Sequence, residues 1–157
     1  MRKTLTLILL TLLPALDTLA GSDLKCVELR CEFLTNPTGV ERMNPRFSWR
    51  VESEVRGQEV SARRILVAST VKKLEANEGD LWDSGKTPAS RLRHFKYGGD
   101  GTTLENKLPD RTNAKPLHSG QQVFWKVMAW DQAKEMSSWS GPAHFTVGLL
   151  EEGDWKA

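Results

Sequence analysis

The stretch that decides the fold is VFWKVMAW, residues 123–130. Every second position is apolar and would face one side of a strand: Val123, Trp125, Val127 and Ala129. The intervening positions, which would face the other side, are also mostly apolar: Phe124, Lys126, Met128 and Trp130. Alternation with period two is the pattern of a β-strand. The stretch therefore predicts a strand with two largely apolar faces, of which only one can belong to a single core.

Shorter runs on both sides of this stretch predict further strands. Residues 25–33, 47–52 and 143–147 alternate with period two, whereas 65–68 is continuously apolar, as in a strand covered on both faces. Weaker strand signals lie near 81–84 and 94–97, and the segment 71–78 looks helical. Glycine and proline turn formers separate these runs. The sequence thus predicts an all-β fold, an antiparallel two-sheet β-sandwich.

The two cysteines, Cys26 and Cys31, lie in the predicted 25–33 strand. At about 3.3 Å per residue their Cα atoms would be about 16 Å apart, whereas a disulfide needs about 4.4–6.8 Å. Strand alternation would also turn them to opposite faces. We therefore expect two unpaired cysteines, with Cys31 filling the core.

The first twenty residues have the layout of a secretory signal peptide. Arg2 and Lys3 precede an apolar run over 5–13, and small residues occupy the −3 and −1 positions of a cut after Ala20. The run is too short to span a bilayer of about 30 Å. We expect residues 21–157 to be exported, secreted or periplasmic, without a membrane segment, and to form one sandwich with a long, polar, exposed loop at about 98–119. An uncleaved N-terminal anchor is the alternative.

Composition and motifs exclude several classes of function. The 157 residues carry 22 Lys and Arg against 20 Asp and Glu, a net charge of +2, so no strong field steers the chain to nucleic acid. The cysteines lack zinc spacing, and the sequence has no phosphate-binding glycine motif and no nucleophile elbow. A glycosidase needs two carboxyl groups across the scissile bond, but the acidic residues sit in polar turns. We predict no catalytic, cofactor-binding or metal-ligating residue and no cofactor.

Tryptophan is in excess, with six in the chain. Trp49 and Trp125 lie on apolar strand faces and are predicted core residues. Trp139 belongs to a Trp-Ser pair just before the last strand, where the ring can stack on cationic side chains. The second face of the 123–130 strand is predicted to dock against another domain, together with a residue near the C-terminus: Phe124, Met128, Trp130 and Trp155. Packing under a loop and a sugar-stacking platform are the alternatives for Trp130.

Motifs spread in order along residues 21–157 carry a resemblance. They are LTNPTGV (34–40), NPRFSWR (44–50), ILVAS (65–69), GDLWDSGK (79–86), FWKV (124–127), WD (130–131), WS (139–140), GLLE (148–151) and DWKA (154–157). Together they resemble the N-terminal fibronectin-III/immunoglobulin-like sandwich of secreted bacterial α-L-rhamnosidases. Two features depart from that pattern: the 98–116 stretch looks longer than usual, and Arg63 and Arg64 stand where an aromatic is common.

The resemblance implies a non-catalytic accessory domain. In that family a downstream (α/α)6 barrel hydrolyses terminal α-L-rhamnose from plant or microbial glycosides and polysaccharides, by inversion. No residue of this chain matches the barrel, so the chain looks like a truncated or fragmentary member. Its implied partners are the downstream β-domain and the barrel. A free-standing carbohydrate-binding module, with carbohydrate as its partner, is the alternative. A cytokine-receptor-like adhesion module would rest on the Trp-Ser pair alone.

Overall fold

The described part of the chain forms eight strands and one short helix. The computed structural model describes residues 21–89, 94–99, 113–150 and 152–154. The predicted leader, residues 100–112 and Trp155 lie outside these ranges. The elements are β1 (Lys25–Cys31), β2 (Arg46–Glu52), β3 (Val60–Ala68), α1 (Val71–Glu75), β4 (Trp82–Asp83), β5 (Thr87–Pro88), β6 (Phe95–Lys96), β7 (Gln122–Asp131), β8 (Ala143–Thr146) and a final 3₁₀ turn (Glu152–Asp154).

These strands form two antiparallel sheets. One has the order β1-β2-β6, and the other has the order β4-β3-β7-β8, with β5 also paired to β3. The central pair is β3 with β7, in a register that sets Ile65 opposite Val127 and Val67 opposite Trp125. The predicted antiparallel two-sheet β-sandwich is confirmed, and the short strand β5 is the element that the alternation did not reveal.

Side chains from the facing sides of both sheets form one core. Phe47 of β2 and Trp125 of β7 meet with ring centroids 4.5 Å apart, and Phe145 of β8 lies against Phe47 at 6.1 Å. All three side chains are fully buried. Trp49, also predicted as core, is partly buried at the margin of this cluster, where its ring packs on Phe95. The core residues of β7 are thus those that the period-two pattern assigns to one face.

The continuous apolar run in β3 is covered on both faces, as predicted. Ile65 and Val67 belong to the core between the sheets, whereas Leu66 and Ala68 pack under α1 against Leu74. The helix begins after Thr70, whose hydroxyl oxygen accepts a hydrogen bond from the Lys73 N–H. The helix has five residues and covers one end of the five-stranded sheet.

The predicted opposite orientation of the two cysteines is wrong. Cys26 and Cys31 are both buried in the core, and both are free. The register of β1 against β2 shifts between Val27 and Arg30, and Glu28 has a φ of 51°. A bulge of this kind inserts one residue and reverses the alternation beyond it, which returns Cys31 to the face of Cys26.

The predicted exposed loop at 98–119 does not extend through its described C-terminal part. Leu117 is buried in the core, and Ala114 packs against it. The hydroxyl of Tyr97 lies 2.7 Å from the Lys115 carbonyl oxygen and 3.0 Å from that of Leu81, while the Lys115 N–H donates to the Leu81 carbonyl. These carbonyl groups satisfy the buried Tyr97 hydroxyl, which needs a hydrogen-bond partner. Together with the burial of Leu117, the bonds make residues 113–117 part of the packed domain.

None of the helices in the described ranges is long and apolar enough to cross a membrane.

Candidate domain-docking face

The candidate site is the outer face of the five-stranded sheet, the side turned away from the core. In β7 it contains the predicted docking residues Phe124, Met128 and Trp130, with Lys126 between them. Their neighbours on the core side are fully buried. The alternation in the sequence therefore predicted correctly that these four side chains leave the core.

Phe124, at the N-terminal end of β7, is covered by other parts of the same chain. It packs with Trp139 against the small cluster of Leu66, Ala68 and Leu74 under α1. The His144 ring of β8 lies 6.1 Å from the Phe124 ring. This end of the outer face is therefore a second, minor core rather than an open surface.

Trp139 lies in the middle of the outer face between two cations, as its Trp-Ser context indicated. The Lys126 ammonium is 4.9 Å from the ring centroid, and the Arg64 guanidinium carbon is 5.9 Å from it. The serines beside Trp139 hold this segment against β7: Ser140 Oγ accepts from the Val127 N–H, and Ser137 Oγ accepts from the Ala129 N–H. The N–H groups of Ser140 and Ser137 also donate to the carbonyl groups of Val127 and Ala129, so backbone and side-chain hydrogen bonds together anchor the stack to the sheet.

The charges on this face are tied to partners within the domain. Arg64 donates to both carboxylate oxygens of Asp83, at 3.0 and 2.6 Å, and these bonds raise the pKa of the Arg64 guanidinium. Burial would raise the pKa of the Asp83 carboxyl, but hydrogen bonds from Arg64 and from the Gly85 N–H hold that pKa below its usual range. Lys126 is nearly buried, donates to Asn77 Oδ1 at 2.6 Å, and has its pKa lowered by burial.

Trp130 lies at the opposite end of β7 and is only half-buried. The Lys86 ammonium sits 4.5 Å from its ring centroid, and its backbone pairs with Met136, whose side chain is 57% exposed. The described chain starts at this end, because the Ser22 N–H donates to the Met136 carbonyl. Met128, next along the face, is 7% exposed, opposite Arg64. Of the predicted docking residues within the described ranges, Phe124 and Trp130 are both partly buried, and Trp130 is the one that lies outside the minor core.

Sequence reasoning missed a second apolar surface, on the loop between β1 and β2. Phe33, Leu34 and Met43 are exposed there by 49%, 61% and 63%. Phe33 has a φ of 70°, which is rare for a bulky residue. Three large apolar residues near turn formers could have signalled this surface, but Phe33 was assigned to the 25–33 strand and the motifs after it were interpreted as turns and as part of the family resemblance.

The described residues offer no visible metal centre, since no cluster of three or more His, Cys, Asp or Glu occurs among them. Five carboxyl groups in the described residues have a clearly shifted pKa, and in each the shift is downward. Burial raises the pKa of these groups, but hydrogen bonds or nearby cations outweigh it: Asp23, Glu32, Asp80, Asp83 and Asp131. Such groups are carboxylates at neutral pH. A general acid for glycoside cleavage needs the opposite shift.

Comparisons of the sequence and the structure with known proteins agree on one family. Residues 26–109 and 105–151 match the family model described as the Rha78A-like, N-terminal immunoglobulin domain. An α-L-rhamnosidase of Formosa agariphila is 36% identical over 121 residues, which is 77% of this chain and 11% of that protein. The chain thus spans about a ninth of that curated relative's length.

Two solved structures share the fold. The α-L-rhamnosidase of Dictyoglumus thermophilum superimposes with a TM-score of 0.72 and 34% identity, over 85% of this chain and 13% of that one. The α-L-rhamnosidase of Streptomyces avermitilis, solved with L-rhamnose, gives a TM-score of 0.71 and 29% identity, over 85% of this chain and 11% of that one.

Proposed function

Because the chain belongs to the Rha78A-like N-terminal immunoglobulin domain family, we propose that it works as a non-catalytic accessory domain of a much longer α-L-rhamnosidase. The observation that carries the proposal is the match along most of the chain to one small, N-terminal part of such enzymes. An accessory domain of this kind contributes to the fold and solubility of its parent and leaves the chemistry to another domain.

The described carboxyl groups support the absence of catalysis. Glycoside hydrolysis by inversion uses one raised-pKa carboxylic acid and one carboxylate base, about 6.5–9.5 Å apart. Here the shifted carboxyl groups have lowered pKa values and are engaged with arginine, lysine, serine or backbone N–H groups. We propose that the parent enzyme removes terminal α-L-rhamnose by inversion, and that its later β-domain and (α/α)6 barrel are the partners of this domain.

We expect the purified chain to leave an aryl α-L-rhamnoside unhydrolysed, at the rate of a buffer blank. The measurement is release of the aryl alcohol over hours at pH 4–8. As a positive control, the S. avermitilis enzyme is assayed with its matched N-terminal segment replaced by this chain; we expect that chimera to be active. Turnover by the isolated chain that disappears on mutating one of its carboxylates would contradict the proposal.

We also propose that residues 1–20 direct export and are removed. The support is the basic start, the short apolar run and the small residues before Gly21. Mass spectrometry of the exported product should give an N-terminus near Gly21. A full-length product retained in the cytoplasm would refute this proposal.

For Phe124, Met128, Trp130 and Trp155 we propose contact with a neighbouring domain, with Trp130 as the main contact because it is partly buried and lies outside the minor core. The competing function is a carbohydrate-binding module, in which Trp130 would stack on a sugar ring. The specific observation in its favour is a half-exposed indole on a rigid strand. The Lys86 ammonium over the Trp130 ring argues against sugar binding, because the cation occupies a position that a sugar would need.

A further inference from the structure

The second apolar surface lies beside the point where the chain leaves the sandwich. A groove adjoins this surface at Leu34; we call it the exit groove, and it is lined by Glu32, Leu34 and residues 37–42. The last strand leads directly to it: the Val40 N–H donates to the Thr146 carbonyl at 2.9 Å, and the Gly148 N–H donates to the Val40 carbonyl at 3.0 Å. Whatever follows residue 148 therefore starts against this groove.

The contact between the groove and the departing chain is tight. A Cβ atom on Gly148 would lie 2.9 Å from Glu41 Cγ and 3.1 Å from the carbonyl atoms of Gly39. Beyond it, Leu149 is 39% exposed, the Leu150 N–H donates to Ser119 Oγ at 2.9 Å, and Asp154 contacts the same hydroxyl. Residues 147–150 and Asp154 are thus held at this end of the sandwich.

The groove is built on a rigid base. Glu32 Oε1 accepts from the Arg46 backbone N–H at 2.7 Å, and Oε2 accepts from Arg46 Nη2 at 2.8 Å and faces Arg42 Nε at 3.3 Å. Burial would raise the pKa of the Glu32 carboxyl, but these partners hold it below its usual range. Leu34 is pinned by two backbone hydrogen bonds with Cys31. Its exposure is therefore fixed by the fold rather than by a loose loop.

Exposed apolar side chains are concentrated at this loop and exit. The described ranges contain seven large apolar side chains that are exposed. Four lie in the β1–β2 loop or at the exit of the chain, namely Phe33, Leu34, Met43 and Leu149, and three lie elsewhere, namely Val55, Val71 and Met136. Leaving such side chains in water forgoes about 1.5–3 kcal/mol each relative to full burial. Concentrated apolar exposure of this kind marks an interaction surface.

We propose that the exit groove is the docking site for the polypeptide that directly follows this domain in a full-length α-L-rhamnosidase, with Leu34 and Leu149 as its apolar contacts. The inference rests on the proposed function. The partner is the downstream polypeptide, because the chain enters the sandwich at the Trp130 end of β7 and leaves at the groove, near Gln122 at the other end. At 3.4 Å per residue these two ends of β7 are about 27 Å apart. The Trp130 surface is therefore not the one that the departing chain meets first.

Cysteine labelling tests the proposal, because the native thiols Cys26 and Cys31 are buried and unreactive. The variants are Leu34→Cys in the exit groove and Val55→Cys, a similarly exposed position between β2 and β3 that lies on neither proposed docking surface. Each is made in the isolated chain and in the S. avermitilis chimera. Docking should slow maleimide labelling of Leu34→Cys at least tenfold in the chimera and leave that of Val55→Cys unchanged.

Equal labelling of Leu34→Cys in both contexts would overturn the proposal, as would selective protection of Val55→Cys. If the chimera does not fold, cysteines at the aligned positions of the intact S. avermitilis enzyme give the same comparison, with equal labelling of the two positions counting against the groove. An active chimera with a fully reactive Leu34→Cys would leave the accessory-domain function standing and refute the groove alone.

Discussion

Trp125→Ser is expected to lower the free energy of unfolding by about 3–5 kcal/mol, the cost typical of removing a large aromatic from a core. The side chain is fully buried at the centre of β7, and its ring lies 4.5 Å from that of Phe47. Its indole N–H has no hydrogen-bond partner in the described residues, so the loss is one of packing. For a domain of this size the melting temperature should fall by roughly 10–20 °C.

Trp130→Ser is the matched control, since it removes the same side chain five positions along the same strand. Trp130 is half-buried and faces away from the core, so we expect a loss of at most about 1 kcal/mol. Solubility of the isolated chain should improve, because an apolar ring leaves the surface. Both variants are compared by thermal unfolding.

A Trp130→Ser protein as unstable as Trp125→Ser would mean that the outer face is internal packing, and the docking hypothesis for it would fail. Loss of binding to an oligosaccharide in this variant would instead favour the carbohydrate-binding module.

The second large effect is expected from Gly79→Ala, at about 3 kcal/mol of destabilisation. An alanine Cβ would lie 2.5 Å from the Trp82 carbonyl oxygen and 2.9 Å from Leu66 Cδ2, and the backbone oxygen cannot swing aside. The chain passes close here because Asp80 and Leu81 must reach back to β3: Asp80 accepts from the Ser69 N–H, and the Leu81 N–H donates to the Val67 carbonyl.

Gly141→Ala is the control for the Gly79 substitution. A Cβ on Gly141 would meet no atom within 4 Å, and its φ is not positive, so stability should stay within about 0.5 kcal/mol. Urea unfolding of both variants measures the difference. Equal midpoints for Gly79→Ala and Gly141→Ala would show that the close approach at Gly79 is not required.

Much of the fold could be predicted because it depends on local alternation. Each face of β7 follows from its own sequence, and the continuous apolar run in β3 predicts cover on both sides. The bulge at Glu28 could not be predicted in this way, because it is an irregularity of β1 relative to its partner β2. Once the parity changes, every assignment beyond that point in the strand is reversed.

The candidate site was harder to predict because its cover comes from distant parts of the chain. Met128 is apolar and outward-facing, yet it is closed off opposite Arg64, and Lys126 is held by Asn77, 49 residues earlier. The exit groove joins residues 37–42 to Gly148, more than a hundred positions later. The alternation of apolar residues indicates which face of a strand a side chain occupies. It does not indicate which distant residues cover that side chain in the folded domain.

The bulge in β1 also decides how the two cysteines respond to an oxidant, because it places both thiols in the core. Once β1 has paired with β2, the two thiols sit too far apart along the strand to bond, and burial raises the pKa of each to about 12, so neither is a nucleophile. In the unfolded chain the same thiols are close neighbours with ordinary acidity. Oxidation then competes with strand pairing, and a bridge formed first would bar the native register of β1. Burial protects these cysteines in the finished domain, whereas during folding we expect the speed of β1–β2 pairing to decide whether they stay free.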